Sequence, residues 1–378
     1  MFVPADPVAI YVHTPFCPSK CGYCDFNSYA MTGEIMERTV QATVREIRTS
    51  PWAGRPAKTI FFGGGTPTYL AADQLIRILR AVVETHPPAG DIEITSEANP
   101  GTVDIPKFAA MREAGFNRIS LGAQSFQADD LMRLGRVHAP DHVARAVAAA
   151  RSAGFERLNL DLMFALPGQS RRAWQTNLQT ALSLHPDHLS LYCLTIEPNT
   201  RYYRLHLKGM LDLPDEEAQV AMYEDAVSYC AEAGLGQYEI SNFARPGQDC
   251  AHNLCYWRGE EYLAYGPGAV GCFAIADGRR RRYTVMKHPE RYCGVVEAWQ
   301  EGSTRDSLWC DQEVLEEADQ TLERLMLGIR LNEGVAVPVE AASRRKLISR
   351  GWLEDREDRL VLTPAGRHFC SEVAAELA

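Results

Sequence analysis

Three cysteines close together near the start of the chain are the residues whose types and spacing most clearly predict chemistry. Cys17, Cys21 and Cys24 have the spacing C-x3-C-x2-C. Thiolates are soft ligands that suit zinc or iron-sulfur clusters, and a compact loop lets several sulfurs reach one site. A structural zinc site normally takes a fourth Cys or His, and none stands in this loop. The pattern therefore favours a 4Fe-4S cluster with one open iron, and three buried cysteines spaced by chance are the alternative.

The composition is that of a folded chain with an acidic surface. Its 378 residues are 46% hydrophobic and 23% charged, which predicts two domains or one large barrel with an appendage. The 39 Lys and Arg residues against 49 Asp and Glu residues give a net charge of −10. Such a surface repels nucleic acid and anionic lipid head groups overall, so nucleic acid is not expected as a main partner.

Neither export nor membrane insertion is expected from the sequence. No Lys or Arg precedes Lys20, so neither a secretory signal nor a transit peptide is predicted. The longest uncharged apolar stretch, 262–276, is shorter than the roughly 20 residues that span a bilayer, and it contains glycine and proline. We therefore expect a cytoplasmic protein without a membrane span, while transient membrane association stays open. A reducing compartment and an odd count of eleven cysteines argue against a disulfide framework.

Strand-like apolar runs alternate with amphipathic helix-like segments from residue 9 to about residue 195, which is typical of a parallel α/β fold. The predicted strands are 9–13, 59–62, 92–95, 118–121, 158–164 and 189–194. The predicted helices are 34–49, 70–85, 105–113, 142–152 and 170–184. Six βα units are fewer than the eight of a closed barrel, so we expect an open, partial (βα)6 barrel.

The pattern is irregular beyond about residue 200 and becomes regular again near the C-terminus. The predicted C-terminal elements are helices at 313–331, 340–350 and 365–377 and short strands at 352–354 and 360–362. This order is typical of a small winged-helix-like module, which serves either DNA binding or as a scaffold with solvated basic residues. The acidic chain favours the scaffold. The predicted units are a barrel core at 1–200, an extension at 201–309 and the C-terminal module at 310–378.

Four sequence segments carry a family resemblance. They are IYVHTPFC at 10–17, FFGGGTPT at 61–68, SLGAQSF at 120–126 and DLMFALPG at 161–168. With the cysteine spacing, they resemble the radical S-adenosylmethionine superfamily and, within it, the oxygen-independent coproporphyrinogen III oxidase family. The resemblance implies a partial (βα)6 barrel with the cluster and S-adenosylmethionine at the mouth formed by the strand ends.

The resemblance also implies which residues contact S-adenosylmethionine. Glycines after a strand allow a positive φ and close approach of a ligand, although a plain turn also uses them. Tyr11 and Tyr23 flank the cluster, either as shields against water or as ordinary packing. A solvated carboxylate at the end of a strand is the alternative for Glu97. The implied cofactor contacts are Tyr11, Tyr23, Gly64, Gly65, Thr66, Glu97, Gln124, Arg136 and Asp161.

A second segment, AHNLCYW at 251–257, matches the H-N-x-x-Y-W motif of the haem chaperones in this family. Imidazole is the commonest axial ligand of haem iron, and aromatic side chains stack on the macrocycle. The implied haem-binding residues are His252, Asn253, Tyr256 and Trp257. A lone histidine is more often a hydrogen-bonded structural residue. A second metal site that includes Cys250, His252 and Cys255 is a further alternative.

The sequence therefore predicts a haem chaperone that transfers haem to an acceptor protein and retains the cluster and the S-adenosylmethionine site. The rival is a radical oxidase or a related porphyrin-modifying enzyme. Oxidases of this family carry a fourth cysteine two positions after the third, where this chain has Phe26, and a longer segment before the loop than the 16 residues here. A DNA-binding iron-sulfur sensor is a third reading, which the net charge disfavours. No residue is assigned a catalytic role.

Overall fold

The computed structural model describes residues 6–300 and 302–378. Twelve of the strands lie in one sheet, and the remaining two form a separate hairpin. The strands are β1 Val8–Thr14, β2 Ala57–Gly64, β3 Pro88–Ala98, β4 Arg118–Gln124, β5 Arg157–Phe164, β6 His188–Cys193, β7 Gly236–Gln237, β8 Asn242–Ala244, β9 Tyr262–Tyr265, β10 Val270–Ala274, β11 Arg280–Val285, β12 Trp309–Leu315, β13 Leu353–Arg356 and β14 Arg359–Leu362. The helices are α1 Glu34–Arg48, α2 Ala72–Thr85, α3 Ile105–Glu113, α4 Ala128–Leu134, α5 Pro140–Ser152, α6 Arg171–Ser183, α7 Arg201–His206, α8 Glu216–Glu232, α9 Ala251–Trp257, α10 Pro289–Glu297, α11 Glu317–Gly328, α12 Ala341–Ser349, α13 Pro364–Arg367 and α14 Cys370–Leu377.

Six parallel strands, β1 to β6, form the centre of the large sheet in chain order. Helices connect consecutive strands, as parallel pairing requires. β9 adds in parallel to the free side of β1, antiparallel β10, β11 and β12 extend that edge, and β8 and β7 extend the edge beyond β6. The sheet begins at β12 and ends at β7 without closing. The predicted open, partial (βα)6 barrel is confirmed.

Burial and charge explain why the barrel elements form where the sequence predicts them. Every residue of β1 except Tyr11 is buried, which is typical of a parallel strand covered on both faces. α1 carries acidic residues in its first turn and Arg45 and Arg48 in its last turn, an order that suits the helix dipole. All six predicted barrel strands and the five predicted helices are present, with bounds that differ from the predicted ones by a few residues at most.

The predicted bounds of two C-terminal helices are wrong in part. Residues 313–315 belong to β12, because Glu313 pairs with Arg282 of the neighbouring strand instead of starting a helix. The predicted helix at 365–377 is two helices, α13 and α14, and the ring of Phe369 between them stacks on Trp352 with centroids 4.2 Å apart. Both differences arise from contacts between segments that local periodicity does not reveal.

The C-terminal helices and the β13–β14 hairpin enclose a small apolar core of their own, which includes Ile329, Leu347 and Val373. This is the winged-helix-like unit that the sequence predicts. The predicted boundaries at residues 200 and 310 fall at the starts of α7 and β12, and the division into three units stays a prediction. Among the helices of residues 6–300 and 302–378, none combines the length and the apolar character that a bilayer span requires.

A buried ion pair fastens the barrel to the strands added at its edge. Glu46 of α1 and Arg305 are both buried and paired, and Arg305 Nη2 also donates to the carbonyl oxygen of Ala264 at 3.0 Å. Glu46 Oε2 accepts a hydrogen bond from the hydroxyl of Tyr292 at 2.7 Å and one from the backbone N–H of Gly266 at 2.8 Å. A buried charge needs such partners, so this cluster fixes α1 against β9 and α10.

We expect Glu46→Gln to lower the free energy of unfolding by about 3 to 5 kcal/mol, because Arg305 would keep a buried charge without its counterion. The unfolding midpoint in urea, followed by circular dichroism, measures the effect. Glu84→Gln is the matched control, because Glu84 pairs with Arg48 at an exposed site and such pairs contribute little. Equal losses in the two variants would contradict the role of the buried pair.

Candidate functional site

A pocket of about 360 Å³ opens where the parallel strands of the barrel reach their carboxyl ends. The cysteine loop after β1 forms one wall, and the ends of β2, β3, β4, β5 and β6 supply the rest. Ligands of parallel α/β proteins bind at this end of the strands. The predicted site residues in its lining are Cys17, Cys21, Tyr23, Cys24, Gly64, Gly65, Thr66, Glu97, Gln124, Arg136 and Asp161.

Backbone hydrogen bonds hold the cysteine loop in place from both sides. The N–H of Cys17 donates to the carbonyl oxygen of Tyr29 at 3.0 Å, which closes the loop on itself. The N–H of Gly22 donates to the carbonyl oxygen of Leu134 at 3.1 Å, and the carbonyl oxygen of Gly22 accepts from the N–H of Tyr202 at 2.9 Å. The protein's own backbone therefore holds the loop between α4 and α7.

The three thiols lie at one wall of the pocket, beside a positive charge. Burial raises the pKa of the Cys17 and Cys24 thiols, so they need a positive partner to ionise. Arg136 Nη1 lies 3.7 Å from the sulfur of Cys21. In the described part of the chain, no three His, Cys, Asp or Glu side chains are arranged to hold one metal ion. A 4Fe-4S cluster fits this set, because each thiolate binds an iron of its own.

The glycines after β2 are required by close approach to the cysteine loop. A Cβ atom on Gly65 would lie 2.6 Å from the carbonyl oxygen of Phe16, and Gly64 has a φ of +105°. The N–H of Gly65 donates to the carbonyl oxygen of Thr14 at 2.8 Å, and the N–H of Thr66 donates to that of Phe16 at 2.7 Å. These residues bring the end of β2 against the loop and leave their other side to the pocket.

Four carboxylates line the pocket, those of Asp25, Glu97, Asp161 and Glu197, and the environments of Glu97 and Asp161 differ. Burial, and then the negative charge of Asp161, raise the pKa of Glu97 to about 8. Burial also raises the pKa of Asp161, but hydrogen bonds from Ser120 at 2.9 Å and from Asn159 at 2.7 Å oppose that rise. Burial therefore favours the protonated form of Glu97, and the hydrogen bonds to Asp161 favour its ionised form.

Arg136 supplies the positive charge of the pocket. Its Nη2 donates to the carbonyl oxygen of Gly122 at 2.6 Å, while its buried Nε finds no hydrogen-bond partner among the described residues. An unpaired guanidinium donor at a pocket wall fits a carboxylate ligand such as that of an amino acid. Gln124 stands at the end of β4 with a φ of +65°, a strained conformation that places its side chain in the lining.

The structure separates Tyr11 from the other predicted cofactor contacts. Tyr23 lines the pocket, with its ring edge against Tyr202. Tyr11 lies one layer deeper, where its hydroxyl is 3.0 Å from Nδ1 of His13 and its ring stacks against Phe61. Tyr11 therefore packs in the interior behind the pocket wall, and its contact with the cofactor stays a prediction.

The sequence interpretation missed Tyr192 and Cys193, which line the pocket at the end of β6. The sequence indicated them only by their place at the carboxyl end of a predicted strand, because the parallel strands of the barrel all end at the same mouth. Neither residue stands in a segment that carries the family resemblance.

The H-N-x-x-Y-W segment lies on α9, away from the pocket lining. His252 is buried, with Nδ1 2.8 Å from the hydroxyl of Thr59 and Nε2 2.9 Å from the hydroxyl of Tyr256. Burial, and then the charge of Lys58, lower the pKa of His252 to about 3. The imidazole is therefore neutral, as a metal ligand must be, but both of its nitrogens already have partners.

The rest of the motif packs α9 against its surroundings. Trp257 lies under the guanidinium of Arg330, which is 4.9 Å from the ring centroid, and Asn253 is half-buried. The thiol of Cys250 donates to Glu93 at 3.4 Å, and that of Cys255 donates to a backbone carbonyl oxygen of α9 at 3.2 Å. Both thiols are engaged in these bonds, and the described residues show no set of ligands here that could hold a second metal ion.

Comparisons with known proteins agree with this geometry. The sequence profile of the Radical SAM superfamily matches residues 11–181, and that of the HemN C-terminal domain matches residues 315–369. The solved structure of coproporphyrinogen III oxidase (HemN) from Escherichia coli superposes with a TM-score of 0.81 at 22% identity, covering 99% of this chain and 90% of that one. At that identity the likeness concerns the fold alone.

Curated relatives match over nearly the full length. Heme chaperone HemW of Escherichia coli is 38% identical over 385 residues, covering 98% of both chains. Heme chaperone HemW of Bacillus subtilis is 38% identical over 378 residues, covering 96% of this chain and 97% of its own. Identity at this level across both the barrel and the C-terminal unit shows that the chain belongs to the heme chaperone HemW family of radical SAM proteins.

Proposed function

We propose that this chain is a haem chaperone, which binds haem and passes it to an acceptor protein, and that it holds a 4Fe-4S cluster and S-adenosylmethionine at the mouth of the barrel. The observation that carries the proposal is the 38% identity to HemW over 98% of both chains. The acceptor in this proposal is a protein that receives the haem.

The pocket residues have distinct tasks toward these cofactors. Cys17, Cys21 and Cys24 would hold the cluster, which would supply an iron without a protein ligand for S-adenosylmethionine to bind. Arg136 balances the negative charge of the thiolates and offers its free donor to a carboxylate. The remaining contacts that we propose are Tyr23, Gly64, Gly65, Thr66, Glu97, Gln124 and Asp161.

Phe26 stands at the position where the oxidases of the family are expected to have a fourth cysteine. It lies at the mouth of the pocket and is 62% exposed. An apolar side chain at this position cannot bind iron, whereas the resemblance gives the oxidases a cysteine there. We therefore favour haem delivery over oxidation of a porphyrin precursor.

We propose His252 as a haem ligand, with Asn253, Tyr256 and Trp257 as its neighbours at the macrocycle. Because both imidazole nitrogens are hydrogen-bonded, ligation requires one of them to leave Thr59 or Tyr256. Haem binding at this residue therefore includes a rearrangement of the side-chain contacts with Thr59 or Tyr256. It is a conformational step and not the filling of an existing cavity.

We further propose a cytoplasmic protein that associates transiently with membranes and does not use nucleic acid as a partner. The odd count of eleven cysteines argues against a disulfide framework and suits a reducing compartment. The segment 201–210 carries Arg201, Arg204 and Lys208 together with Leu207 and Met210, which are 68% and 65% exposed. Basic and apolar side chains side by side suit an anionic lipid surface.

We expect Cys17→Ser, Cys21→Ser and Cys24→Ser each to lose most of the cluster iron after anaerobic reconstitution, because serine replaces a thiolate ligand. Iron analysis should give about four irons per chain in the wild type. Cys193→Ser is the control, since Cys193 lines the same pocket without being a proposed ligand. A full cluster in the triple serine variant would refute the assignment.

We expect the chain to bind about one haem and His252→Ala to shift or weaken its Soret band, because the axial ligand sets the electronic state of the iron. His86→Ala is the matched control: His86 is equally buried, and its Nε2 lies 2.6 Å from the hydroxyl of Tyr265. Equal effects in the two variants would mean that His252 acts only through the fold. Repeated conversion of coproporphyrinogen III to protoporphyrinogen IX would favour the oxidase.

We expect the chain to sediment with vesicles that contain phosphatidylglycerol and not with phosphatidylcholine vesicles, with binding that weakens as salt rises. Arg204→Glu combined with Lys208→Glu should abolish sedimentation. Arg80→Glu combined with Arg145→Glu is the control, because both residues are exposed elsewhere on the surface. Undiminished binding in the first pair would exclude this segment as the contact.

A further inference from the structure

A chain of hydrogen bonds crosses the barrel interior from the start of α9 to the cofactor pocket. Asp161 stands at the pocket end, Asn159 and His188 lie in the middle, and Tyr238 and Cys250 stand at the α9 end. Asn159 and His188 are register partners on β5 and β6, and both are buried. Polar side chains in such a place are costly unless each is satisfied, so their arrangement calls for an explanation.

The orientation of the Asn159 amide determines which ring nitrogen of His188 carries the proton. Nδ2 of Asn159 donates to Asp161 Oδ1 at 2.7 Å, which turns the amide oxygen toward Nδ1 of His188 at 2.7 Å. An oxygen that only accepts requires a donor, so Nδ1 carries the proton. Burial, and then the charge of Arg118, lower the pKa of His188 well below its usual value, so the ring is neutral.

The other ring nitrogen of His188 determines the direction of the hydrogen bonds at the α9 end. A neutral imidazole protonated at Nδ1 accepts at Nε2, and the hydroxyl of Tyr238 lies 2.8 Å away. The Tyr238 oxygen in turn accepts from the backbone N–H of Cys250 at 3.4 Å. Each donor in this chain of hydrogen bonds therefore points toward Asp161.

We propose that His188 is a positioning residue for S-adenosylmethionine, because it holds Asn159 in the orientation that presents an N–H to Asp161. The inference rests on the proposed function, in which Asp161 faces the cofactor. Nδ2 of Asn159 also lies 2.7 Å from the hydroxyl of Ser120 and 2.9 Å from that of Ser190, whereas His188 is the partner of the amide oxygen. Without the donor of His188, that buried oxygen loses its hydrogen bond, and the amide is held less firmly against Asp161.

The test measures the dissociation constant of S-adenosylmethionine for the full chain after anaerobic cluster reconstitution. His188→Phe keeps a ring and removes the donor, and we expect the constant to rise about tenfold with the iron content unchanged. His86→Phe is the matched control, because His86 is buried beside a tyrosine hydroxyl but lies outside the chain of hydrogen bonds. We expect it to leave the constant unchanged.

A double-mutant cycle with Asp161→Asn separates positioning from a general effect on the fold. If His188 acts through Asp161, His188→Phe adds no further loss of affinity in the Asp161→Asn background. Additive losses, or an unchanged constant in His188→Phe alone, would overturn the proposal. Should His188→Phe fail to fold, Tyr238→Phe tests the same chain of hydrogen bonds, with an expected rise of about threefold that also vanishes in Asp161→Asn.

The failure of this proposal is distinguishable from the failure of the proposed function. A wild-type chain with a full cluster that does not bind S-adenosylmethionine would overturn both. A wild-type chain that binds it, together with a His188→Phe variant that binds equally well, would overturn only the role of His188.

Discussion

An ion pair inside the barrel, between Glu93 of β3 and Arg118 of β4, is the interaction on which the arrangement of both functional regions depends. The two side chains are each 2% exposed, and their charged atoms lie 3.6 Å apart. Burying such a pair is costly, and hydrogen bonds from neighbouring groups offset that cost, although Arg118 Nη2 has no partner among the described residues. Glu93 accepts from the backbone N–H groups of Ala251 and His252, and Arg118 donates to the carbonyl oxygen of Gln248. The pair therefore holds the start of α9 inside the barrel.

With α9 held there, the opposite end of the barrel remains as the open mouth. The carboxyl ends of the parallel strands meet at this mouth, where the cysteine loop packs on the glycines after β2. The buried H-N-x-x-Y-W segment and the pocket are consequently arranged along the interior of the barrel and not side by side on one surface. The polar interior between them is continuous, because Asn159 and His188 lie on adjacent strands.

The sequence predicted those parts of the structure that short stretches of residues determine by themselves. The six strands and the cysteine loop follow from apolar runs and thiol spacing, and both are found as expected. The region 201–309 could not be organised in the same way, because β9 pairs with β1, about 250 residues earlier in the chain. The surroundings of His252 were equally hidden, since Thr59 reaches it from a distant strand. Pairing across the sheet, which one sequence does not record, decides these features.

The haem and cofactor proposals meet at α9. His252 can ligate iron only after one imidazole nitrogen leaves its present partner, because both are hydrogen-bonded. α9 is also capped by Cys250, the residue whose N–H begins the chain of donors toward Asp161. If the imidazole is freed by a displacement of α9, the same displacement moves the Cys250 N–H away from Tyr238. Coupling between two binding sites is reciprocal, so if haem ligation displaced α9 and weakened cofactor binding, bound cofactor would weaken haem ligation by the same factor.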